Sequence, residues 1–342
     1  MSAPEITTRE TSPSTSQHNA WIASVVSSLV IGAAFISVYV GIQRDPQPTH
    51  LPVAVASVQL ATAAQQGLGD RAQITEVSTP AQGIAMVKDG DAVAAVSLTS
   101  RTSLQLDYAG AKGLSETAAA RALVHGLADK AGFSVTEKDI VPLTGYDSRG
   151  LSAFYVVFGV TLASFVLAQG LTGAASKVRL RHRLYAIGGF AVVIGVVAAT
   201  IAGPILGALT APWIALAASL SLLSAAVAFT TKALGTWLGA AGIGLAVLLL
   251  TTVGNALSGA TIGYDLLPQW TQAISPILPP GAAFRAVNEF GYFDGATTWS
   301  SLLVLAIWAV AGFALVLVRS ALQGKRSQVP VAPEQTEPVT VS

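Results

Sequence analysis

The chain has 342 residues, 52% of them hydrophobic and only 11% charged, with 19 Lys and Arg against 18 Asp and Glu for a formal net charge of +1. Soluble domains carry roughly a quarter charged residues, so this composition excludes an ordinary soluble protein and makes lipid the solvent for most of the chain. The sequence contains no cysteine, which excludes a disulfide framework, a thiolate metal site and thiol redox chemistry.

Residues 1–19 form a Ser/Thr-rich leader without apolar periodicity and are expected to be disordered and cytoplasmic. The first apolar run, Ala20 to Ile42, exceeds a signal-peptide core, and Gln43-Arg44-Asp45-Pro46 offers no small-residue cleavage site. It is expected to be an uncleaved transmembrane helix.

Residues 43–150 change to short alternating segments and predict an extracytoplasmic α/β domain. Strands are expected at Val53 to Val58, Ile74 to Val77, Ala92 to Leu98, Ser103 to Tyr108 and Ser134 to Val141. Helices are expected at Ala61 to Gly67 and Pro80 to Lys88, and from a Ser115 cap to Gly132. The domain carries nine Lys and Arg against eleven Asp and Glu, interspersed, so neither nucleic acid nor an anionic lipid surface is an implied partner.

Five further apolar runs of roughly spanning length follow within residues 151–322: Leu151 to Ala174, Leu184 to Leu209, Pro212 to Thr231, Leu234 to Ile262 and Trp299 to Val318. Thr210 and Pro212 suit a cap and a first turn between the third and fourth helices. Pro204 predicts a kink near the end of the third. Glycines at 203, 207, 235, 239, 242, 244, 254 and 259 mark close helix packing. Lys177, Arg179, Arg181 and Arg183 fix the loop between helices two and three as cytoplasmic, and Lys232, Arg319, Lys325 and Arg326 then fall on the same side. Both termini are therefore expected in the cytoplasm of a plasma-membrane protein, with residues 43–150 and 263–298 outside. The tail, residues 323–342, is Pro-rich and expected to be disordered. The expected fold is an α-helical polytopic membrane protein of six transmembrane helices, with a small α/β extracytoplasmic domain between helices one and two.

Segment 263–298 is apolar, Pro-rich and too interrupted to cross a bilayer, so it either re-enters and shapes an outer vestibule with Trp270, Pro276, Pro279, Pro280 and Arg285, or forms an interfacial lid. Arg285, Glu289 and Asp294 fall on a short amphipathic helix and turn and are expected to face water or pair with one another. No P-loop occurs, the four histidines lack metal-ligand spacing, no Gly-x-Ser-x-Gly elbow is present, and no acid falls inside a span. The chain is expected to be neither an enzyme nor a cofactor-binding protein. Gln169 and Asn255 are expected to bind neighbouring helices rather than substrate.

The passages Asp139-Ile140-Val141-Pro142-Leu143 through Asp147-Ser148-Arg149-Gly150-Leu151, and Leu278-Pro279-Pro280-Gly281-Ala282-Ala283-Phe284-Arg285, together with the whole layout, resemble permease subunits of type-2 ATP-binding-cassette exporters. The likeness is to the actinobacterial branch, related to the phage-infection-protein and nitrosoguanidine-resistance families. The resemblance implies a homodimer or heterodimer embedded in membrane lipids and driven by a separate cytoplasmic ATPase, exporting a lipid, drug or cell-envelope component. It also implies that the loop bearing Lys177, Arg179, Arg181 and Arg183 meets that ATPase, although the same residues serve equally as orientation signals. The alternative is a non-transporting membrane scaffold, secretion accessory or phage-attachment protein acting through the outer domain.

Overall fold

A computed structural model describes residues 15–293 and 298–326. Leader residues 1–14, the turn at Asp294 and the tail from 327 lie outside the described residues.

A small α/β domain is inserted after the first long helix, α1 (Thr15–Gln43). That helix begins before the expected Ala20, taking in part of the leader. Strand β1 (Leu51–Val55) ends where Ser57 starts α2 (Val58–Leu68), its hydroxyl accepting the Leu60 amide at 3.4 Å. This cap explains why Val58, expected in the strand, is helical. After β2 (Ala72–Glu76), Thr79 caps α3 (Pro80–Lys88), and Pro80 occupies a first-turn position that needs no amide partner. The hairpin β3 (Ala94–Ser100) and β4 (Ser103–Tyr108) leads to α4 (Leu114–Ala131) and β5 (Ser134–Asp139). Ser115 does not cap α4. Gly113, at φ 100, turns the chain into the helix two residues earlier.

The sheet order is β2-β1-β3-β4-β5, parallel except for the antiparallel hairpin β3–β4. Alternation along β1 sends Val53 and Val55 into a core with α4 residues Ala120 and Val124, and Ala54 to the opposite face. On that second face Gly83 of α3 lies so close that a Cβ there would be 3.1 Å from Ala95 Cβ. Tyr292 and Phe293, from the far end of the chain, also pack there and dock the domain on the helices.

Among the described residues five helices are long and apolar enough to cross a membrane: Val25–Gln43, Ser152–Ser176, Leu180–Ile205, Trp213–Leu238 and Thr298–Gln323. The fragment Ala240–Ala256 is apolar but shorter. Helix α7 (Trp213–Leu238) is the hub, with Leu216, Leu220, Leu223 and Val227 fully buried at helical spacing. It packs against α5 (Ser152–Gly173), α6 (Leu180–Thr200) and α12 (Thr298–Arg326). Pro204 lies in a π-helical segment, Ile201–Ile205, that ends α6. Thr210 does not cap α7. Its hydroxyl donates instead to the Gly291 carbonyl at 2.7 Å.

The division expected near Lys232 is displaced. Helix α7 runs on to Leu238 and the chain turns at Gly239, with φ 61. Lys232 therefore sits inside the helix, fully buried, because its ammonium finds acceptors there: the Leu171 carbonyl at 3.2 Å and Thr172 Oγ1 at 3.3 Å. The fifth expected span is shortened to α8 (Ala240–Ala246), a π-helical stretch Val247–Val253, and α9 (Gly254–Ala256). Two short helices, α10 (Gln269–Ile274) and α11 (Pro279–Tyr292), then precede α12.

Candidate functional site

The end of the bundle opposite the α/β domain is basic. Helix α5 closes in a short turn, Ala174–Ser176, that presents Lys177 and Arg179 to the exterior, and Arg181 is exposed on the first turn of α6. Arg183 is half-buried and its Nε has no hydrogen-bond partner. Positive groups at a helix N-terminus oppose its dipole, so their clustering there is not explained by helix stability. From Ser148 to Tyr264 the chain has no Asp or Glu, and no described carboxylate forms an ion pair with these residues. Lys232 braces the loop from beneath, because the carbonyls of the last turn of α5 carry the negative end of its dipole. Arg319 stacks over Trp237 at 5.2 Å and its Nε donates to the Thr236 carbonyl, which ties α12 to the same end.

The five residues expected around a vestibule do not share one surface. Trp270 on α10 is exposed, Pro276 is half-buried, and Pro279 and Pro280 are buried at the start of α11. Arg285 is half-buried, 5.9 Å from the centre of the Tyr264 ring, and forms no ion pair with Glu289. Trp308 Nε1 donates to the Ile277 carbonyl at 2.7 Å. Trp308 lies roughly 15 Å along α12 from Thr298 at a helical rise of about 1.5 Å per residue, so the Pro-rich segment descends beside α12 before α11 climbs back.

Asn255 supports that descent. Its Nδ2 donates to the carbonyls of Leu250 and Thr251, both at 3.2 Å, within the π-helical stretch. The adjoining Gly254 lies against Pro280, whose Cδ and Cγ would be 2.9 Å from an added Cβ. Replacing Asn255 by Leu is expected to cost about 1–3 kcal/mol by removing both buried hydrogen bonds, read as a lower melting temperature in detergent.

The α/β domain meets the helices at an acid pair, buried Glu116 and half-buried Asp265. Glu116, in the first turn of α4, is 3% exposed and lies against Gly263, where a side chain would collide with it. Its carboxyl is pushed well above the usual range by burial, and then by a hydrogen bond to and the charge of Asp265; Lys112 opposes the shift. The Asp265 carbonyl accepts the Thr49 amide at 3.0 Å, so the same turn also holds the segment entering β1. Lys112 lies 5.0 Å from the Phe293 ring centre and donates to the Gly90 carbonyl. No pattern in the sequence marks this pair, whose members become neighbours only through docking.

A fourth feature lies within the α/β domain. A pocket of about 260 Å³ opens between the sheet and helices α2 and α4, walled by Val53, Val55, Ala64, Leu104, Ala128 and Phe133, with Lys130 as its one charged lining residue. Alanines on both helices leave it unfilled, a signal present in the sequence as Ala61, Ala63 and Ala64 and as Ala128 and Ala131. Among the described residues no group of three or more His, Asp or Glu side chains is placed to hold a metal ion. Comparison with family models, with curated proteins and with solved structures gives no match for this chain.

Proposed function

We propose that the protein is the transmembrane permease subunit of an ATP-driven exporter, working with a separate ATPase. The observation that carries the reading is the exposed basic surface of Lys177, Arg179 and Arg181, braced by buried Lys232 and lacking carboxylate neighbours. A surface charged in this way suits an acidic face of a soluble partner and steers its approach. Under the positive-inside rule this end is cytoplasmic, which puts both termini in the cytoplasm, the α/β domain and segment 263–298 outside, and the chain in the plasma membrane. Ala240–Ala256, at the short end of the spanning range, is the sixth crossing, completed by the re-entrant segment packed beside it. The exposed apolar surface of α1, including Leu29, Phe35, Ile36 and Val40, faces lipid or a second permease chain. Described acids are absent from the long apolar helices, which favours an external energy source over ion coupling. The cargo proposed is a lipid, drug or cell-envelope component.

The test is affinity purification from native membranes in mild detergent. A P-loop ATPase is expected to co-purify, and the triple variant Lys177→Gln, Arg179→Gln, Arg181→Gln is expected to reduce its recovery about tenfold or more while keeping topology. Absence of an ATPase under conditions that preserve a known exporter complex overturns the reading. It leaves the non-transporting scaffold in its place.

A further inference from the structure

We propose that the pocket of the α/β domain is a binding site for a single-chain amphiphile with an anionic head, of the fatty-acid class. The inference goes beyond the permease reading and stands whether or not an ATPase partner exists.

The walls decide the class of ligand. One side is the face of the sheet, Val53, Val55 and Leu104, and the other is the pair of helices that touch where Gly67 of α2 meets Leu127 of α4. Between them, where a filled core would carry larger side chains, Ala64 and Ala128 leave space. The lining offers almost no polar atom, so a sugar, nucleotide or peptide backbone would lose its hydration without compensation. An alkyl chain loses none. The volume of about 260 Å³ sets the size: apolar cavities of roughly 150 Å³ take benzene, so this one takes a chain segment of roughly ten carbons and not a two-chain phospholipid.

The charge at the rim decides the head group. Lys130, in the last turn of α4, is exposed and forms no ion pair among the described residues. It lines the pocket and is exposed, and a lysine so placed pairs an acyl chain below with a carboxylate or phosphate at the surface. The pocket is remote from the domain junction, because Glu116 at the opposite end of the same helix meets the bundle, roughly 20 Å away at a helical rise of about 1.5 Å per residue. A ligand held there is presented away from the helices.

The experiment uses the full chain in lipid nanodiscs and a decanoic acid carrying a terminal photoreactive diazirine, with its methyl ester as the uncharged control. After illumination and proteolysis, label from the free acid is expected on peptides of α2 and α4, with label on the long helices as the internal reference for bilayer partitioning. Ala64→Phe, which fills the pocket, is expected to cut the domain label about tenfold while the helix label is unchanged. Lys130→Glu is expected to lower the free-acid domain label about threefold and leave that of the ester unchanged. If Ala64→Phe prevents folding, Lys130→Glu, on the surface, decides alone. Label confined to the long helices, or domain label insensitive to Lys130→Glu, overturns the proposal. Equal domain labelling by acid and ester identifies the pocket as an uncharged apolar site and also overturns it.

Discussion

Gly195→Ala is expected to abolish the accumulation of folded protein. At this crossing of α6 over α7 an added Cβ would collide with Ser221 Oγ, and would lie 2.6 Å from the Ser221 amide nitrogen and 2.8 Å from the Ala217 carbonyl oxygen. Two of these three are backbone atoms of the hub helix, so no rotamer change relieves the clash and the helices must move apart. Overpacking of this kind costs about 1–3 kcal/mol where neighbours can adjust and more where they cannot, against a total stability of roughly 5–15 kcal/mol. Gly189→Ala on the same helix is the matched control. Its Cβ would meet nothing within 4 Å, and replacing a helical glycine by alanine there should be neutral or stabilising by up to about 1 kcal/mol. Fluorescence-detected size-exclusion chromatography of the two variants separates the outcomes: a monodisperse Gly195→Ala protein with an unchanged melting temperature would mean that this close approach is not maintained in the membrane.

Raising the pH is expected to loosen the docking of the α/β domain, and Glu116→Gln is expected to remove that dependence. The buried Glu116 carboxyl holds its proton in the docked state to a pH well above its usual value of 4.5. The docked state therefore binds a proton that the separated state releases. The stability this contributes is complete below about pH 4.5 and is lost as the pH rises through the elevated value, the reverse of an ordinary salt-bridged carboxylate. Above that value two carboxylates face each other across the junction, with Lys112 offering partial compensation. Glutamine keeps a donor for Asp265 and carries no charge, so the variant should melt higher than the parent at alkaline pH, by a few degrees for about 1–2 kcal/mol, and match it at acid pH. Thermal melts of both proteins between about pH 5 and about pH 9, with a tryptic cut in the Gln43–Leu51 connection as a readout of domain release, measure both effects. Parallel curves for the two proteins would remove Glu116 from the account.

Where local chemistry decides, sequence and structure agree closely. Pro80 to Lys88 is helical and Ser103 to Tyr108 is a strand at the expected boundaries, because Thr79 with Pro80 and the polar turn at Arg101–Thr102 punctuate the chain within a few residues. Ser115 misled because Ser is a good cap in isolation, whereas the positive φ of Gly113 had already committed the chain to turn. Lys232 misled for an energetic reason: a lysine in an apolar run reads as a loop unless acceptors exist for it, and those acceptors belong to a helix some sixty residues earlier. The glycines tell the same story. Gly235, Gly242 and Gly254 are close-packed as expected, Gly242 against the Leu234 carbonyl of α7, but Gly203 and Gly244 are not, and two further close approaches to α7 fall at Gly195 and at Gly312, where an added Cβ would lie 2.7 Å from the Thr230 amide nitrogen. Neither stands out in sequence, since what makes them necessary is the partner helix. Of the candidate site, the basic loop was legible from charge alone. The vestibule residues were legible as a segment, but the pairing of Ile277 with Trp308, and hence which of them are buried, was not.

The π-helical stretch Val247–Val253 amounts to one surplus residue stored in an otherwise regular helix, the one-dimensional counterpart of a dislocation in a crystal. A dislocation moves without melting the lattice. Each step of the surplus along the chain exchanges one hydrogen-bond register for the next and turns the residues it passes by about 100°. Asn255 pins the defect by holding two of its carbonyls, and Gly254 packs the pinned end against Pro280 of the Pro-rich segment. With no side chain between Gly254 and Pro280 to act as a spacer, a rotation of the short helix would press directly on that segment.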